Sequence, residues 1–371
     1  MNSAQPSEKE HWKNLKRLYQ LYKSDLTTGE IERLIKRDVP GLYDFYVRDL
    51  EKPDEKRNKV SRFIFFVRNL FVAFLMRLTA ARRLFYSLAI IFFFFGLASG
   101  IDNWVWLGFV ILNVLLALEV ADKLLAKDEL AVAREIQMSL MPKTAPVNLP
   151  FEVACFSEPA REVGGDYYDF IDSNHQQNRT YLVIADVKGK GMAAALYMVR
   201  VQALLQYLLD KHHSPTDILI ALNKNIRRIM RHDYFISMAL CSIEPDASIR
   251  FSRAGHMPLI HYSSRLHSCL SVEPRGIAVG LENSMLFEKT IEEVTVTPDK
   301  NDVLVFYTDG VVETMDSAKN QYGENALQQV ISEKAHLPAD QILNAILQEV
   351  TRFRGLNPPI DDLTLIVMKK S

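Results

Sequence analysis

Hydrophobic and polar residues alternate along this chain in several ways, and the first pattern predicts a membrane segment. Two uncharged runs, 84–100 and 104–118, are separated by the polar residues Asp102 and Asn103. Each run is slightly shorter than the roughly 20 residues of a spanning helix, and neither has a polar face. We therefore predict a transmembrane helical hairpin over 84–118, with a buried hairpin in a soluble domain as the alternative.

Basic residues flank both ends of this hairpin. Arg82 and Arg83 precede it, and Lys123 and Lys127 follow it. The positive-inside rule then places both ends in the cytoplasm, which predicts a multi-pass protein of the cell inner membrane with a cytoplasmic N-terminus. Because the hairpin begins far from the N-terminus, it is not a cleavable signal peptide.

The region before the hairpin, residues 1–83, is predicted to be helical, basic and cytoplasmic. It carries 18 lysine and arginine residues against 11 acidic ones, whereas the whole chain has a net charge of −1. Its segment 56–83 contains basic residues interleaved with aromatic and aliphatic ones, and no acid. This favours an interfacial helix on anionic lipid, and a third spanning segment or a helix packed on 11–50 is the alternative. No recognition motif accompanies the basic residues, so nucleic-acid binding is not expected.

A linker over 119–147 is predicted to join the membrane segment to the rest of the chain as a helix, since Val120–Leu140 contains no proline or glycine and Pro142 ends it. The residues of its apolar seam recur at spacings of four, three, four and three, and they are Ala126, Leu130, Ala133, Gln137 and Leu140. This spacing is typical of a coiled coil, in which a buried Gln137 would set the register. We predict a homodimer through this helix, and a simple spacer helix is the alternative.

Residues 148–371 combine strand patterns and helix patterns. The predicted strands are Tyr181–Asp186, Phe235–Ile243, Ile249–Arg253, Phe287–Val296, Asp302–Thr308 and Leu363–Met368, and the predicted helices are Gly191–Asp210, Pro215–Met230 and Ala339–Phe353. Ser214 is the predicted N-cap of the second helix. Because strands precede and follow a pair of helices rather than alternating with them, we predict an α+β fold, a β-sandwich flanked by helices.

Aspartates cluster beside glycines and at the ends of these predicted strands. They are Asp166, Asp169, Asp186, Asp309, Asp361 and Asp362. Carboxylates that converge on one edge of a sheet repel one another, and hard cations such as Mg²⁺ or Mn²⁺ relieve this. The three cysteines suggest neither a disulfide scaffold nor a zinc site. His256 is a general-base candidate or, alternatively, a turn histidine bonded to backbone.

Five motifs along 148–371 resemble the SpoIIE/RsbU-type branch of the metal-dependent (PPM) serine/threonine phosphatases. They are Ala160–Phe170, Asp186–Gly191, Ala254–His256, Tyr307–Glu313 and Asp361–Thr364, and they occur in the family's order. The segment Arg134–Pro142 also resembles the switch helix that leads into such domains. The resemblance implies a β-sandwich with a two-metal centre, holding Mn²⁺ or Mg²⁺, and a phosphoric monoester hydrolase.

The resemblance also implies roles for individual residues. Asp186 would bridge both metals with help from the Val187 carbonyl, Asp309 and Asp361 would complete one metal's shell, and Asp166 would bind directly or through water. Asp362 and Asp169 would support these ligands from outside the shell. Two cations would generate a hydroxide nucleophile at neutral pH.

Two further site residues are basic. Lys188 stands where the branch usually has serine, so it would contact the substrate phosphate or remain solvated. Arg161 lies where eukaryotic relatives place a phosphate-binding arginine, and a surface salt bridge is the alternative.

These expectations combine into a membrane-anchored phosphoserine/phosphothreonine protein phosphatase. By the same resemblance, its substrate would be a phosphorylated anti-sigma-factor antagonist of the STAS type in bacterial partner switching. The alternatives are a catalytically silent module that sequesters a signalling partner, and a membrane scaffold whose function lies in the N-terminal region.

Overall fold

The computed structural model describes residues 68–371, except 70, 77, 143–145, 147–148, 173–178, 190, 212–213, 232 and 283. The expectations for residues 1–67 therefore lie outside the described residues. The chain divides into two compact units, Met1–Leu124 and Leu125–Ser371.

Two long helices dominate the described part of the first unit. Helix α1 covers Ala80–Ser99, and helix α2 covers Asp102–Ser139. The chain reverses between them at Gly100, whose φ of 68° lies in the left-handed region that glycine adopts without strain. The second apolar run and the predicted linker helix are thus parts of one continuous helix.

The two helices pack closely against each other within the first unit. A Cβ atom at Gly108 of α2 would lie 2.6 Å from the carbonyl oxygen of Ala89 in α1, so only glycine permits this approach. At the other end of the pair, the Arg82 guanidinium bonds Glu119 at 2.9 Å and Asp122 at 2.6 Å. The apolar runs therefore form a helical hairpin, as their pattern predicted.

Three helices among the described residues are long and apolar enough to cross a membrane. Two of them are α1 and α2, which leave most of their apolar surface exposed. The third, α3 (Met192–Leu209), instead buries Met198, Val201 and Leu205 in the core of the second unit. The apolar residues of α3 therefore pack against the core of the second unit.

The second unit consists of two five-stranded antiparallel sheets between two pairs of helices. Its strands are β1 (Phe151–Glu158), β2 (Asp166–Asp172), β3 (Thr180–Val187), β4 (Ile236–Ile243), β5 (Ile249–Ala254), β6 (Leu259–Ser263), β7 (Ser268–Val272), β8 (Glu293–Val296), β9 (Val303–Tyr307) and β10 (Leu363–Lys370). Besides α3, its helices are α4 (Pro215–Ile226), α5 (Ser284–Thr290), α6 (Asp309–Val312), α7 (Glu324–Lys334) and α8 (Ala339–Arg354). The strand orders are β1-β10-β9-β6-β7 and β2-β3-β4-β5-β8.

Alternation of side chains along β9 shows how the layers are built. Leu304 and Phe306 enter the core that the two sheets share with α3 and α4. Val303, Val305 and Tyr307 enter a second core beneath α7 and α8. Since successive side chains of a strand point to opposite faces, one strand supplies both cores. The predicted α+β sandwich flanked by helices is confirmed.

Several sequence predictions agree closely with the elements observed. Five of the six predicted strands correspond to β3, β4, β5, β9 and β10, and the three predicted helices correspond to α3, α4 and α8. Ser214 caps α4 as expected, because its hydroxyl accepts the Asp217 backbone N–H at 3.2 Å. Helix α4 ends at Ile226, four residues before the predicted end.

The predicted strand Phe287–Val296 is wrong over its first half. Ser284–Thr290 is the helix α5, and only Glu293–Val296 pairs as β8, with β5. The buried Phe287 anchors α5 to the core, so one apolar residue there reflects helix packing and not a strand. A short apolar run does not by itself separate these two cases.

Strands β1, β2, β6 and β7 and helix α7 were not predicted. The strand β2 reads Asp-Tyr-Tyr-Asp-Phe-Ile-Asp, and aspartate is depleted in strands. Its two tyrosines, Tyr167 and Tyr168, are nevertheless buried. Tertiary burial therefore overrides the low strand propensity of aspartate.

Candidate metal centre

Strands β2 and β3 bring the first two aspartates together. Asp166 lies directly opposite Asp186 in their antiparallel register. The preceding residue, Gly165, lies so close that a Cβ there would be 2.7 Å from the Val187 carbonyl oxygen and 3.1 Å from Asp186 Oδ1. Glycine at this position therefore keeps open the space around these two oxygens.

Strands β9 and β10 deliver the other two aspartates that are predicted as metal ligands. Asp309 follows β9 and Asp361 precedes β10, and these neighbouring antiparallel strands therefore place both residues at one edge. A Cβ at Gly310 would lie only 1.9 Å from the carbonyl oxygen of Asp362. Glycine thus permits the close backbone approach that holds Asp309 beside the β10 segment.

Asp186, Asp309 and Asp361 line one cavity of about 260 Å³. Its other lining residues are Lys188, Gly189, Phe235, Ser237, Gly255 and Met257. The structure therefore brings together three of the four aspartates predicted as metal ligands, from three different parts of the chain. The cavity is large enough to admit a phosphoryl group.

The fourth, Asp166, is buried behind this cavity. Its Oδ2 accepts hydrogen bonds from the hydroxyls of Thr308 at 2.8 Å and Thr364 at 2.7 Å. Burial raises the pKa of Asp166 well above its usual value, and the charges of Asp186 and Asp362 act in the same direction. The two threonine hydroxyls act against this rise. A nearby cation would favour the ionised form.

Sequence reasoning missed Thr308 and Thr364 as site residues. Both lie within the quoted motifs, immediately before Asp309 and shortly after Asp362. Each is fully buried, and the Thr364 backbone N–H also donates to the Thr308 hydroxyl at 3.0 Å. In the sequence, the feature that could have identified them is a threonine one or two residues from an aspartate of each motif.

Asp362 and Asp169 are occupied by bonds within the chain. Asp362 Oδ1 accepts the Ala160 backbone N–H at 2.7 Å, and its Oδ2 accepts that of Gly165 at 2.6 Å. Asp169 Oδ2 accepts the Tyr167 hydroxyl at 2.9 Å, and burial raises the pKa of Asp169. Asp362 thus fixes the backbone beside Asp166.

The two basic candidates differ in position. Lys188 lines the cavity, and its Nζ lies 4.8 Å from the centre of the Phe235 ring. This cation–π contact draws the ammonium group toward the cavity wall. Arg161 is exposed and is not among the residues that line the cavity. The structure does not bring the Arg161 side chain to the carboxylates.

The end of α2 reaches the other side of this centre, within the second unit. The Gln137 side chain is buried, donating from Nε2 to the Gly164 carbonyl at 2.7 Å and accepting the Gly164 N–H at Oε1 at 3.2 Å. Gln137 and Asp166 both line a small gap. Gln137 was expected in a coiled-coil seam with a partner helix. Its side chain instead bonds the backbone of Gly164 in its own chain.

The donor set suits a hard divalent cation. Carboxylate groups line the cavity, and the Val187 carbonyl oxygen lies beside Asp186 where Gly165 leaves space. Within the described residues, no three His, Cys, Asp or Glu side chains already converge as a ready chelate. The residues thus fit a divalent metal by chemistry and placement, and their side chains must close in to coordinate it.

Comparisons with known proteins agree with this architecture. The family model described as Stage II sporulation protein E (SpoIIE) matches residues 176–371, just over half of the chain. Phosphoserine phosphatase RsbU of Bacillus subtilis (strain 168) is 26% identical over 246 residues, which are 66% of this chain and 70% of RsbU. Phosphoserine phosphatase RsbP of the same organism is 24% identical over 198 residues, and the match spans 47% of its length.

A solved structure gives the same fold. The SiaA-PP2C domain of Pseudomonas aeruginosa superposes with a TM-score of 0.58 at 18% identity, covering 68% of this chain and 99% of that domain. At this identity the likeness concerns the fold alone. The predicted PPM-like sandwich is thereby confirmed.

Proposed function

Because the chain belongs to the SpoIIE family, we propose that it is a membrane-anchored, metal-dependent phosphoserine/phosphothreonine protein phosphatase. The predicted enzyme class, a protein serine/threonine phosphatase, agrees with the names of both curated relatives, RsbU and RsbP. The observation that carries the proposal is the cavity that Asp186, Asp309 and Asp361 line together.

Divalent cations are the proposed cofactor, two Mn²⁺ or Mg²⁺ ions. We assign Asp186, the Val187 carbonyl, Asp309 and Asp361 as ligands, with Asp166 binding directly or through water. When bound, such ions lower the pKa of a coordinated water and neutralise phosphoryl oxygens. Asp166 keeps only Oδ1 for this purpose, since its Oδ2 accepts two threonine hydroxyls.

The residues around the ligands keep the carboxylates in place. Asp362 binds two backbone N–H groups and so fixes Gly165 against Asp186. Thr308 and Thr364 hold Asp166 from the buried side. Lys188 adds positive charge at the cavity, where it would attract the phosphate dianion of the substrate. Arg161 remains a predicted phosphate contact, which would require its exposed side chain to turn toward the cavity.

The substrate we propose is a phosphorylated protein of the STAS type that antagonises an anti-sigma factor. This rests on the resemblance of the motifs to the SpoIIE/RsbU branch. The cavity lies at one edge of the sandwich, and charged groups line it beside Phe235 and Met257, which suits a phosphorylated side chain presented by a folded partner.

Membrane anchoring is proposed from the first unit. Helices α1 and α2 leave large side chains exposed along their length, among them Ile91, Phe94, Trp106 and Leu116. Exposing so much apolar surface to water is unfavourable, whereas contact with lipid tails would bury it. With Arg82 and Lys123 at the same end of the hairpin, we propose a cytoplasmic location for both flanking regions, at the cell inner membrane.

A direct test is hydrolysis of p-nitrophenyl phosphate by the full chain in detergent, with Mn²⁺ or with chelator. Asp186→Asn should lower kcat by about 100-fold or more, because it removes a charge from the proposed ligand set. Asp246→Asn is the matched control, since Asp246 is exposed in the turn between β4 and β5. Turnover that survives both chelator and Asp186→Asn would refute the proposal.

A further inference from the structure

A buried histidine contacts a serine that lines the cavity beside Asp186. The Nδ1 atom of His256 lies 3.0 Å from the Oγ of Ser237. His256 is 3% exposed, whereas Ser237 is half-buried and lines the cavity with Asp186. A hydrogen bond between these two side chains therefore connects the cavity wall to the interior.

The register of the sheet directs the Ser237 side chain toward the carboxylates. Ser237 on β4 lies directly opposite Asp186 on β3. Side chains of directly opposed residues stand on the same face of an antiparallel pair. The Ser237 hydroxyl and the Asp186 carboxylate thus face the same cavity.

The backbone of His256 is held rigidly. Gly255 has a φ of 68°, and a Cβ there would lie 2.8 Å from the Ala278 backbone nitrogen, so the turn requires glycine. The Arg253 guanidinium donates to the carbonyl oxygen of His256 and, at 3.2 Å, to that of Pro274. These contacts fix the backbone of His256, and the burial of its side chain confines the ring beside Ser237.

The ring is also uncharged at physiological pH. Burial and the nearby positive charge of Arg253 lower the pKa of His256 to about 3. A neutral imidazole has one donor and one acceptor nitrogen, so it can orient a hydroxyl without altering the charge of the cavity. A ring with so low a pKa is a weak base, which argues against His256 as a general base.

A phosphate monoester needs hydrogen-bond donors that the carboxylates cannot supply. A carboxylate such as that of Asp186, Asp309 or Asp361 is an acceptor only when it carries no proton. Among the lining side chains, Ser237 and Lys188 are the hydrogen-bond donors within the described cavity. Ser237 is the better fixed of the two, because its partner is buried.

We propose that the Ser237 hydroxyl donates a hydrogen bond to an oxygen of the transferred phosphoryl group, and that His256 is the positioning residue that holds this hydroxyl. The inference rests on the proposed phosphatase function. It requires the proton of the ring to be on Nδ1, which donates to Ser237 Oγ and leaves the serine proton for the phosphoryl oxygen. A proton on Nε2, toward the Tyr307 carbonyl, would instead make Nδ1 the acceptor of the serine proton.

The test is a double-mutant cycle on the full chain in detergent, with p-nitrophenyl phosphate and Mn²⁺. Ser237→Ala should lower kcat by about 10- to 100-fold, the range expected for a lost hydrogen bond to a charged group. His256→Ala should have a similar effect, and the double variant should be no slower than the slower single variant. Such non-additivity indicates that the two residues act as a unit.

Matched variants separate this role from a structural one. Ser237→Thr keeps a hydroxyl and should retain most of the activity. His256→Asn keeps an N–H near the place of Nδ1 and should recover part of it, and it replaces His256→Ala if that variant does not fold. Ser242→Ala removes a buried hydroxyl from the same strand, which donates to Glu244 at 2.7 Å, and should lower the melting temperature without changing kcat.

The outcomes distinguish this inference from the proposed function. Metal-dependent turnover that Asp186→Asn abolishes but Ser237→Ala leaves unchanged would overturn the inference alone. Effects of Ser237→Ala and His256→Ala that multiply in the double variant would also overturn it. A full chain that binds Mn²⁺ but hydrolyses nothing would overturn the proposed function and, with it, the inference.

Discussion

Aspartates of identical chemistry have different surroundings in this protein, and the partners of each oxygen separate them. Both oxygens of Asp362 accept backbone N–H groups, one oxygen of Asp166 accepts two hydroxyls, and Asp186 faces the cavity. A carboxylate whose two oxygens accept backbone N–H groups organises the backbone, whereas one that lines a cavity lies where a cation could reach it. The function of each residue therefore depends on its neighbours.

Asp302 provides a residue-scale prediction away from the cavity. It is 2% exposed and accepts hydrogen bonds from the Ser264 N–H at 2.7 Å, His261 Nε2 at 2.8 Å and the Asp299 N–H at 2.9 Å. Burial acts to raise the pKa of Asp302, but these hydrogen bonds outweigh it and hold the pKa below its usual value. The ionised carboxylate therefore stabilises the fold.

Asp302→Asn should lower the free energy of unfolding by about 1–3 kcal/mol at pH 7. Since the folded pKa is depressed, this contribution is present above the unfolded pKa of about 3.9 and disappears as pH falls through the folded value. Thermal unfolding by circular dichroism from pH 7 to pH 3 should show the difference between variant and parent shrinking only at the acidic end. A difference that grows on acidification would contradict this.

At the scale of elements, the contact between the end of α2 and the loop before β2 is the structural feature closest to regulation. The Gln137 amide bonds both backbone groups of Gly164, two residues before Asp166. A helix that moves or rotates at this point would shift the loop and, with it, the aspartate. We propose that this contact lets the linker helix control whether the metal site is complete.

Gln137→Glu tests this control with a minimal change. A glutamate can accept the Gly164 N–H but cannot donate to the Gly164 carbonyl, so one of the two bonds is lost. We expect kcat to fall by about 10-fold or more and the Mn²⁺ concentration needed for half-maximal activity to rise. Gln329→Glu, at an exposed position of α7, is the control. Equal activity in the two variants would show that the contact is passive.

For the whole molecule, the linker part of α2 bears on oligomerisation. The predicted seam ends at Gln137 and Leu140, and Gln137 contacts its own chain. Large apolar residues on α2 that remain exposed are instead Leu125, Val132 and Ile136, between 57% and 64% exposed. We propose that a second copy of the chain covers this strip, which refines the predicted homodimer.

Val132→Glu should therefore weaken the dimer, because it places a charge in the proposed apolar contact. Light scattering of the full chain in detergent should show a dimer for the parent and mainly monomer for Val132→Glu. Arg134→Glu, an exposed polar position nearby on α2, should leave the mass unchanged. A parent chain that is monomeric, or a variant that stays dimeric at low concentration, would refute this interface.

The sequence by itself determined the apolar hairpin, the sandwich class and the aspartate motifs. Each of these features follows from residues that are close in sequence. The hairpin follows from uncharged runs, the sandwich from the order of strand and helix patterns, and the motifs from aspartates at strand ends such as Asp186 and Asp309. It did not determine β2, because aspartate and tyrosine form that strand only when the neighbouring strands bury the tyrosines.

Only the tertiary structure decided which groups meet. The pairing of Asp166 with Thr308 and Thr364 joins positions 142 and 198 residues apart, and no local pattern records such distances. The same holds for Gln137, which a heptad spacing assigned to a partner helix but a backbone contact binds within the chain. Local propensity determines where most helices and strands form. Burial and long-range hydrogen bonds determine which of their side chains contact one another.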